Sequence, residues 1–169
     1  CNVVMEACYS SHYWARELQR YGFQVKLIPA QHVTPFVRGN KNDRNDALAI
    51  YEASQRPFIR PVPVKTEHQQ EILMLHRIRE RLIAERVALM NQTRGLLTDF
   101  GFVFNQGHQA FYQGLMEVLE TELSHLKRFI IHQALDDYKR LRERQAQIDK
   151  ELKSFIRESA AAQILMSLP

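Results

Sequence analysis

Hydrophobic residues along this chain follow first a strand–helix alternation and then a sustained helical period. Asn2–Met5 (NVVM) has the short apolar run of a buried strand, and Glu6 follows at its C-terminal end. Ser10 or Ser11 can cap a helix predicted to run to about Tyr21, with Tyr13, Trp14 and Leu18 on its apolar side and Gly22 as its stop. Gln24–Ile28 (QVKLI) reads as a second strand, ended by Pro29. A loop carrying Arg38, Gly39 and Lys41 leads into a helix from Asp43 to about Ser54, on which Ala47, Leu48, Ile50, Tyr51 and Ala53 can line one face. Strand–helix–strand–helix is the rhythm of an α/β layer, and residues 1–56 are assigned to that class.

Three prolines in residues 57–65 (PFIRPVPVK) mark an extended linker over 57–66, and beyond it the period changes. A long helix is predicted from about Glu67 to Phe100, with Leu75, Leu82, Leu89 and Leu96 recurring every seven residues beside a second series, Ile83, Met90 and Leu97. Gly101 and the NQGH stretch at 105–108 interrupt it, and a shorter helix follows over about 109–122. The last helix is predicted from about Ser124 to Arg157. On it Ile131, Ala134, Tyr138, Leu141, Gln145, Ile148, Leu152 and Phe155 alternate spacings of three and four, a heptad seam with one polar position. The seam fits either an antiparallel hairpin between the two long helices or a coiled coil that joins two chains. Residues 67–158 are thus expected to form a long-helix, coiled-coil region.

Composition changes this picture little. The 169 residues suffice for one domain or two small ones, and 45% hydrophobic with 25% charged content is that of a soluble globular protein. No apolar run approaches the roughly 20 residues of a transmembrane helix, so no membrane partner is expected. Cys1 and Cys8 make no disulfide framework, and a cytoplasmic setting is the default. The chain opens on Cys1 without an initiator Met and closes on ILMSLP directly after a helix, as expected of an internal segment of a longer protein.

Charge adds more. The net charge of +4 hints at a polyanionic partner. Residues 1–65 carry nine basic and five acidic groups, 66–125 five and eight, and 126–157 nine and five. Positive charge therefore gathers around Asp43 and Asp46 and on the last helix.

Asp43 and Asp46 stand in the stretch GNKNDRNDALAIYEA at 39–53. Taken alone they read as a helix start, since Asp is a good N-cap, an acid at N3 can reach back to the cap, and both suit the positive end of the helix dipole. The surroundings offer a second reading. If the α/β layer forms, Glu6 ends one strand and the two aspartates begin a helix soon after the next, where α/β sheets gather their ligands. At i and i+3 the aspartates share a side of the helix. An oxygen-only acidic set suits Mg²⁺ or Mn²⁺ rather than zinc. Two such ions can activate a nucleophile and stabilise the leaving oxygen at a phosphodiester. Arg38, Lys41 and Arg44 beside them would hold phosphates. Glu6 taken alone is more often a surface or salt-bridged residue.

Other groups carry less. Cys8 and His12 could share a helical face as zinc ligands, but no second pair accompanies them. Tyr13, Trp14 and Phe23 are expected in the core rather than stacked on bases. Arg77, Arg79, Arg81, Arg86 and Arg94 are interleaved with Glu71, Glu80 and Glu85, as on a solvated helix face. His108, His125 and His132 show no constellation.

Residues 3–57 resemble the DEDD transposases of bacterial insertion sequences, the class that includes the pilin-gene invertase. The MEAC signature at 5–8, the LIPAQHV stretch at 27–33 and the KNDRNDA helix start at 41–47 stand in the family's order. The proline-rich exit and the heptad helices resemble the coiled-coil region that follows in that family, and the closing SLP resembles the start of its C-terminal transposase domain, here 159–169. The resemblance implies a RuvC-like, ribonuclease-H-type fold whose four acidic residues hold Mg²⁺ or Mn²⁺. Glu6 matches the second, Asp43 the third and Asp46 the fourth; the first, an Asp on the first strand, has no counterpart. The family's serine nucleophile belongs to the C-terminal domain, so neither Ser159 nor Ser167 takes that role, and this segment alone is expected to be catalytically incomplete. The implied activity is metal-dependent DNA strand cleavage and rejoining for insertion-sequence mobility. The implied partners are DNA, a structured guide RNA and further copies in a dimer or tetramer. The rival reading is a non-catalytic helical assembly or nucleic-acid-binding module, in which the carboxylates are caps.

Overall fold

β1 (Asn2–Ala7) and β2 (Gln24–Pro29) pair in parallel, from Asn2 opposite Gln24 to Ala7 opposite Pro29. A parallel pair needs a crossover, which α1 (Ser11–Arg20) provides. The computed structural model describes residues 1–40 and 42–158. Lys41 and the expected domain start at 159–169 lie outside the described residues. The chain divides into two units, Cys1–Gln70 and Glu71–Pro169. The first is α/β and the second, as far as it is described, is helical, as the period of the sequence predicts.

In the first unit, α1 buries Ser11 and Ala15, small residues that let a helix approach a sheet closely. Tyr13 and Trp14, expected in the core, are displaced to the flank, 50% and 53% exposed, edge to face at 5.2 Å. Between Pro29 and Arg38, where the sequence predicts only loop, lie α2 (Ala30–Val33) and a 3₁₀ turn, Thr34–Phe36. Four residues are too few for a period to show. The Thr34 hydroxyl donates to the Ala30 carbonyl at 3.1 Å, and Val33 is buried. Next comes α3 (Asp43–Ser54), which packs Ala49 and Ala53 with Val4, Ile28, Val33 and Ile59. Leu48 and Tyr51, expected on the same face, are more than half exposed. Again the small residues face the sheet.

After a turn at 57–58, the expected linker runs against this unit as far as residue 66. Ile59 is buried in its core, and the Val62 N–H donates to the Leu27 carbonyl at 2.7 Å, an isolated antiparallel bridge. His12 Nδ1 accepts the Lys65 N–H at 3.2 Å, Arg16 donates to the Lys65 carbonyl at 2.9 Å and to the Gln70 side chain, and Glu67 lies 3.9 Å from Arg16 and 4.0 Å from Arg20. His12 is therefore spoken for, and Cys8 precedes the helix, so the zinc pairing considered for them does not form.

This latch is sensitive to pH. Burial, and then the charges of Lys65 and Arg16, hold His12 below its ordinary pKa of 6.5. The unfolded chain thus binds the extra proton more readily. The latch's contribution is complete above pH 6.5 and is lost as pH falls from 6.5 through the lower folded value. The urea midpoint of the first unit, read from Trp14, the single tryptophan, is expected to drop across that window and to drop less in His12→Gln.

The second unit is built from α4 (Glu67–Thr98), α5 (His108–Leu119) and α6 (His125–Glu158). Arg79 Nε donates to Asp149 at 2.5 Å, while Met90 and Leu97 cluster with Ile131, Leu135 and Tyr138. The early part of α4 thus meets the late part of α6 and the late part meets the early, so the two run antiparallel. The seam is used inside the chain: Ile131, Ala134, Tyr138 and Leu152 are all buried. Its polar member, Gln145, donates to Asp149 at 3.2 Å.

On α4 the seven-residue leucine series drifts off the core. Leu82 is buried, but Leu96 is 52% exposed and Leu97 replaces it at 3%. An α-helix lags a seven-residue repeat by about 20° per heptad, and the two heptads after Leu82 turn Leu96 outward. The helix closes in a Schellman turn, with the Phe102 N–H on the Leu97 carbonyl at 3.1 Å and Gly101 at φ 83°.

α5 wedges Phe111 and Leu115, both fully buried, into the hairpin. Gly114 is needed there, because a Cβ would lie 2.9 Å from Phe104 Cε1 and closer still to Cδ1. Gly114→Ala gains helix propensity but overpacks the ring, and is expected to lower stability by about 1–2 kcal/mol in urea unfolding. Among the described residues no helix is long and apolar enough to cross a membrane.

Candidate functional site

The start of α3 is held by asparagines. Asn42, extended at φ −155°, accepts the Asn45 N–H on its side-chain oxygen at 2.9 Å, and its carbonyl accepts the Asp46 N–H at 2.9 Å. The Asn45 and Asn42 amides donate back to the Asn40 carbonyl at 2.8 and 3.2 Å. Asn42 is therefore the N-cap. Asp43 falls at the first helical position and Asp46 in the same turn, so neither has the capping role that the sequence allowed them. Among the described residues neither carboxylate has a hydrogen-bond or ion-pair partner. Asp43 is exposed and Asp46 half-buried, at the positive end of the helix dipole.

Glu6 lies inside β1 rather than beyond it, opposite Ile28 and half-buried. Successive strand residues alternate faces, so Glu6 shares the face of Val4. Val4 and Ile28 pack with Ala49 and Ala53, which makes this the face that α3 covers. A groove of about 440 Å³ runs between Asn2, Val4 and Lys26 on the sheet and Ala47, Ile50, Tyr51, Ser54 and Gln55 on α3. The last turn of α3 thus lies beside the first residues of β1.

Glu6 lies on the sheet face that α3 covers and the aspartates lie in the first turn of α3, but the three carboxylates are not drawn into a cluster. Among the described residues no three His, Cys, Asp or Glu side chains are close enough to hold an ion together. All the donors are hard oxygens, which fit Mg²⁺ or Mn²⁺ by chemistry. Of the basic residues, Arg44 is exposed in the first turn of α3, and Arg38 is exposed and lies 3.9 Å from Glu52, farther along the helix.

Sequence reasoning missed Asn42 because Asp43 beside it is an equally good cap. It also missed the company of His108, where no constellation was expected. Burial, and then Arg86, Arg94 and Arg142, hold that ring below its ordinary pKa, and Arg86 lies 3.4 Å from its Nε2. Arg86, His108 and Arg142 lie on three different helices, separated by 22 positions and more, and no local spacing could show them together.

A family profile described as Transposase, of the DEDD IS110 type, matches residues 1–102. The chain is similar to a probable family 20 transposase of Pseudomonas aeruginosa, 41% identical over 172 residues, covering 99% of this chain and 51% of that protein. It is 38% identical over 169 residues to the transposase for insertion sequence element IS1328 of Yersinia enterocolitica, covering 100% of this chain and 51% of the other. With the transposase for insertion sequence element IS1111A of Coxiella burnetii it shares 46% identity over 120 residues, 71% of this chain and 33% of the other. The chain spans about half the length of the first of these relatives, and less of the last. No solved structure matches it.

Proposed function

The chain belongs to the DEDD transposases of insertion sequences, and from that premise we propose that its first unit carries part of the metal site of a DNA-cleaving and DNA-rejoining recombinase. The observation that carries this reading is the division of labour at the start of α3. Asn42 makes the cap, so Asp43 and Asp46 are not needed to begin the helix. Two carboxylates kept at a helix start that another residue caps, with no hydrogen-bond or ion-pair partner among the described residues, are free to take a ligand.

Glu6, Asp43 and Asp46 would hold Mg²⁺ or Mn²⁺. A cation there would neutralise charge on the phosphodiester and on its attacking and leaving oxygens. The chain's own residues do the rest. β1 fixes Glu6 through its pairing with β2. Asn42 fixes the direction of the first turn of α3, and the half-buried setting of Glu6 and Asp46 limits competing water. Arg44, with Lys41 and Arg38, would steer the DNA backbone toward the carboxylates. A RuvC-like sheet, a structured RNA partner, oligomeric assembly through the long helices and a cytoplasmic setting follow from the family resemblance, and belong to the same proposal.

The test is strand cleavage by the full-length parent on a plasmid carrying the element's ends, with Mg²⁺, with Mn²⁺ and with chelator. Cleavage that needs either cation supports the reading. Cleavage undiminished in excess chelator overturns it.

A further inference from the structure

We propose that the second unit holds a phosphate-binding pocket, walled by Arg86 of α4, His108 at the start of α5 and Arg142 of α6, that takes a phosphodiester group of a nucleic-acid strand. The pocket is a cavity of about 480 Å³ lined also by Gln109, Tyr112 and Tyr138, and no acidic side chain lines it. Positive charge brought together by Arg86 and Arg142 from two helices, beside a histidine and without a compensating carboxylate, is unfavourable unless an anion enters.

Two details point to a ligand rather than to a chance gathering. Among the described residues the Nε–H of Arg86, like that of Arg94 outside the pocket, is buried without a partner, and a buried guanidinium donor left unpaired is costly. Arg142 is exposed and, among the described residues, makes no ion pair, whereas Arg79, Arg81 and Arg140 each hold an acid. The tyrosines differ in availability. Tyr138 is buried, with its hydroxyl 3.4 Å from the His108 carbonyl. Tyr112 is half-buried, its ring 6.3 Å from that of Tyr138. An oxyanion would accept from Arg86 and Arg142, and would offset the charges that hold down the His108 pKa.

The source of the phosphate rests on the transposase reading and on the surface around the pocket. Lys139, one turn before Arg142 on α6, is exposed and extends the positive charge beyond the cavity. The stretch 126–157 carries nine basic groups against five acidic ones. A strand with one charge per nucleotide matches such a track better than a single small anion does.

The experiment measures binding of a fluorescein-labelled, mixed-sequence, single-stranded oligodeoxynucleotide to the chain by anisotropy, over a range of salt and with chelator present. Without a divalent cation the carboxylates take no part, and the loss in Arg142→Ala is read with Arg38, Lys41 and Arg44 intact, so failure of either proposal is distinguishable from failure of the other. Arg142→Ala is expected to weaken binding roughly tenfold and to reduce the salt slope by about one phosphate contact. Arg142→Lys should keep the slope. Arg140→Ala, on the same helix but paired with Asp137 at 3.4 Å, should change binding far less. The NMR titration of His108 should move to higher pH when the oligonucleotide is added. Wild-type affinity and slope in Arg142→Ala would overturn the proposal. So would an equal loss in Arg140→Ala, which would show a diffuse basic surface. A His108 shift produced by inorganic phosphate but not by the oligonucleotide would overturn the assignment to a strand.

Discussion

Replacing Asp43 by Asn in the full-length parent is expected to lower strand cleavage by more than about a hundredfold. Loss of even an outer partner of a metal ligand costs roughly 10–100-fold, and Asp43 is proposed as a ligand itself. The same loss is expected of Glu6→Gln. What makes the experiment clean is Asn42. It caps α3, so the substitution removes a negative charge from an exposed first-turn position that makes no side-chain hydrogen bond among the described residues. The folding cost is then only the loss of a favourable charge at the helix dipole, about 0.3–1 kcal/mol. Thermal unfolding run beside the cleavage assay separates the two effects. Near-normal cleavage by a folded Asp43→Asn protein sinks the metal-site proposal.

Phe111→Ala is expected to destabilise the second unit by about 3–5 kcal/mol, a large part of the stability of a small domain. Phe111 is fully buried between the long helices. Its ring lies 5.5 Å from that of Tyr138 and 6.4 Å from that of Phe104, and the Arg94 guanidinium sits 5.4 Å over it. Arg94 in turn donates to the Asn105 and Gly107 carbonyls, both at 3.0 Å, and so holds the loop that leads into α5. Truncation leaves a cavity and also frees that anchor. Helical circular dichroism in urea should show the loss, while Trp14 fluorescence, which reports on the first unit, should change little. A shift of the midpoint worth less than about 1 kcal/mol would show that α5 is not the wedge of this core.

The elements were legible where a pattern runs long enough to repeat. β2, α4 and α6 lie within a few residues of their predicted bounds, because strand alternation and heptads are carried by side chains that must be buried. α2 was not legible, because four residues contain no period. Which face of α1 packs was misjudged, since Ser11 and Ala15 win by being small and the aromatic pair loses by being large. The acidic residues of the candidate site could be found from their spacing and from the family pattern, but their separation in space could not. It depends on the register of Glu6 against Ile28 and on the direction of α3. The pocket around His108 was hidden for another reason. It is assembled from helices that the chain brings together only after the hairpin has closed.

The antiparallel pairing of α4 and α6 restricts how this protein can change length. A single residue inserted between Leu82 and Met90 turns everything after it by about 100° and points Met90, Thr93 and Leu97 away from their neighbours. The same insertion in α6 does equal harm, and neither helix can correct the other. A change that survives must add or remove a whole heptad on both arms at matching heights, between the Arg79–Asp149 ion pair and the cluster around Ile131. Relatives of different length should therefore carry their insertions in the connection from Phe102 to Gly107 or in that from Glu120 to Ser124, with the two arms growing or shrinking only in step.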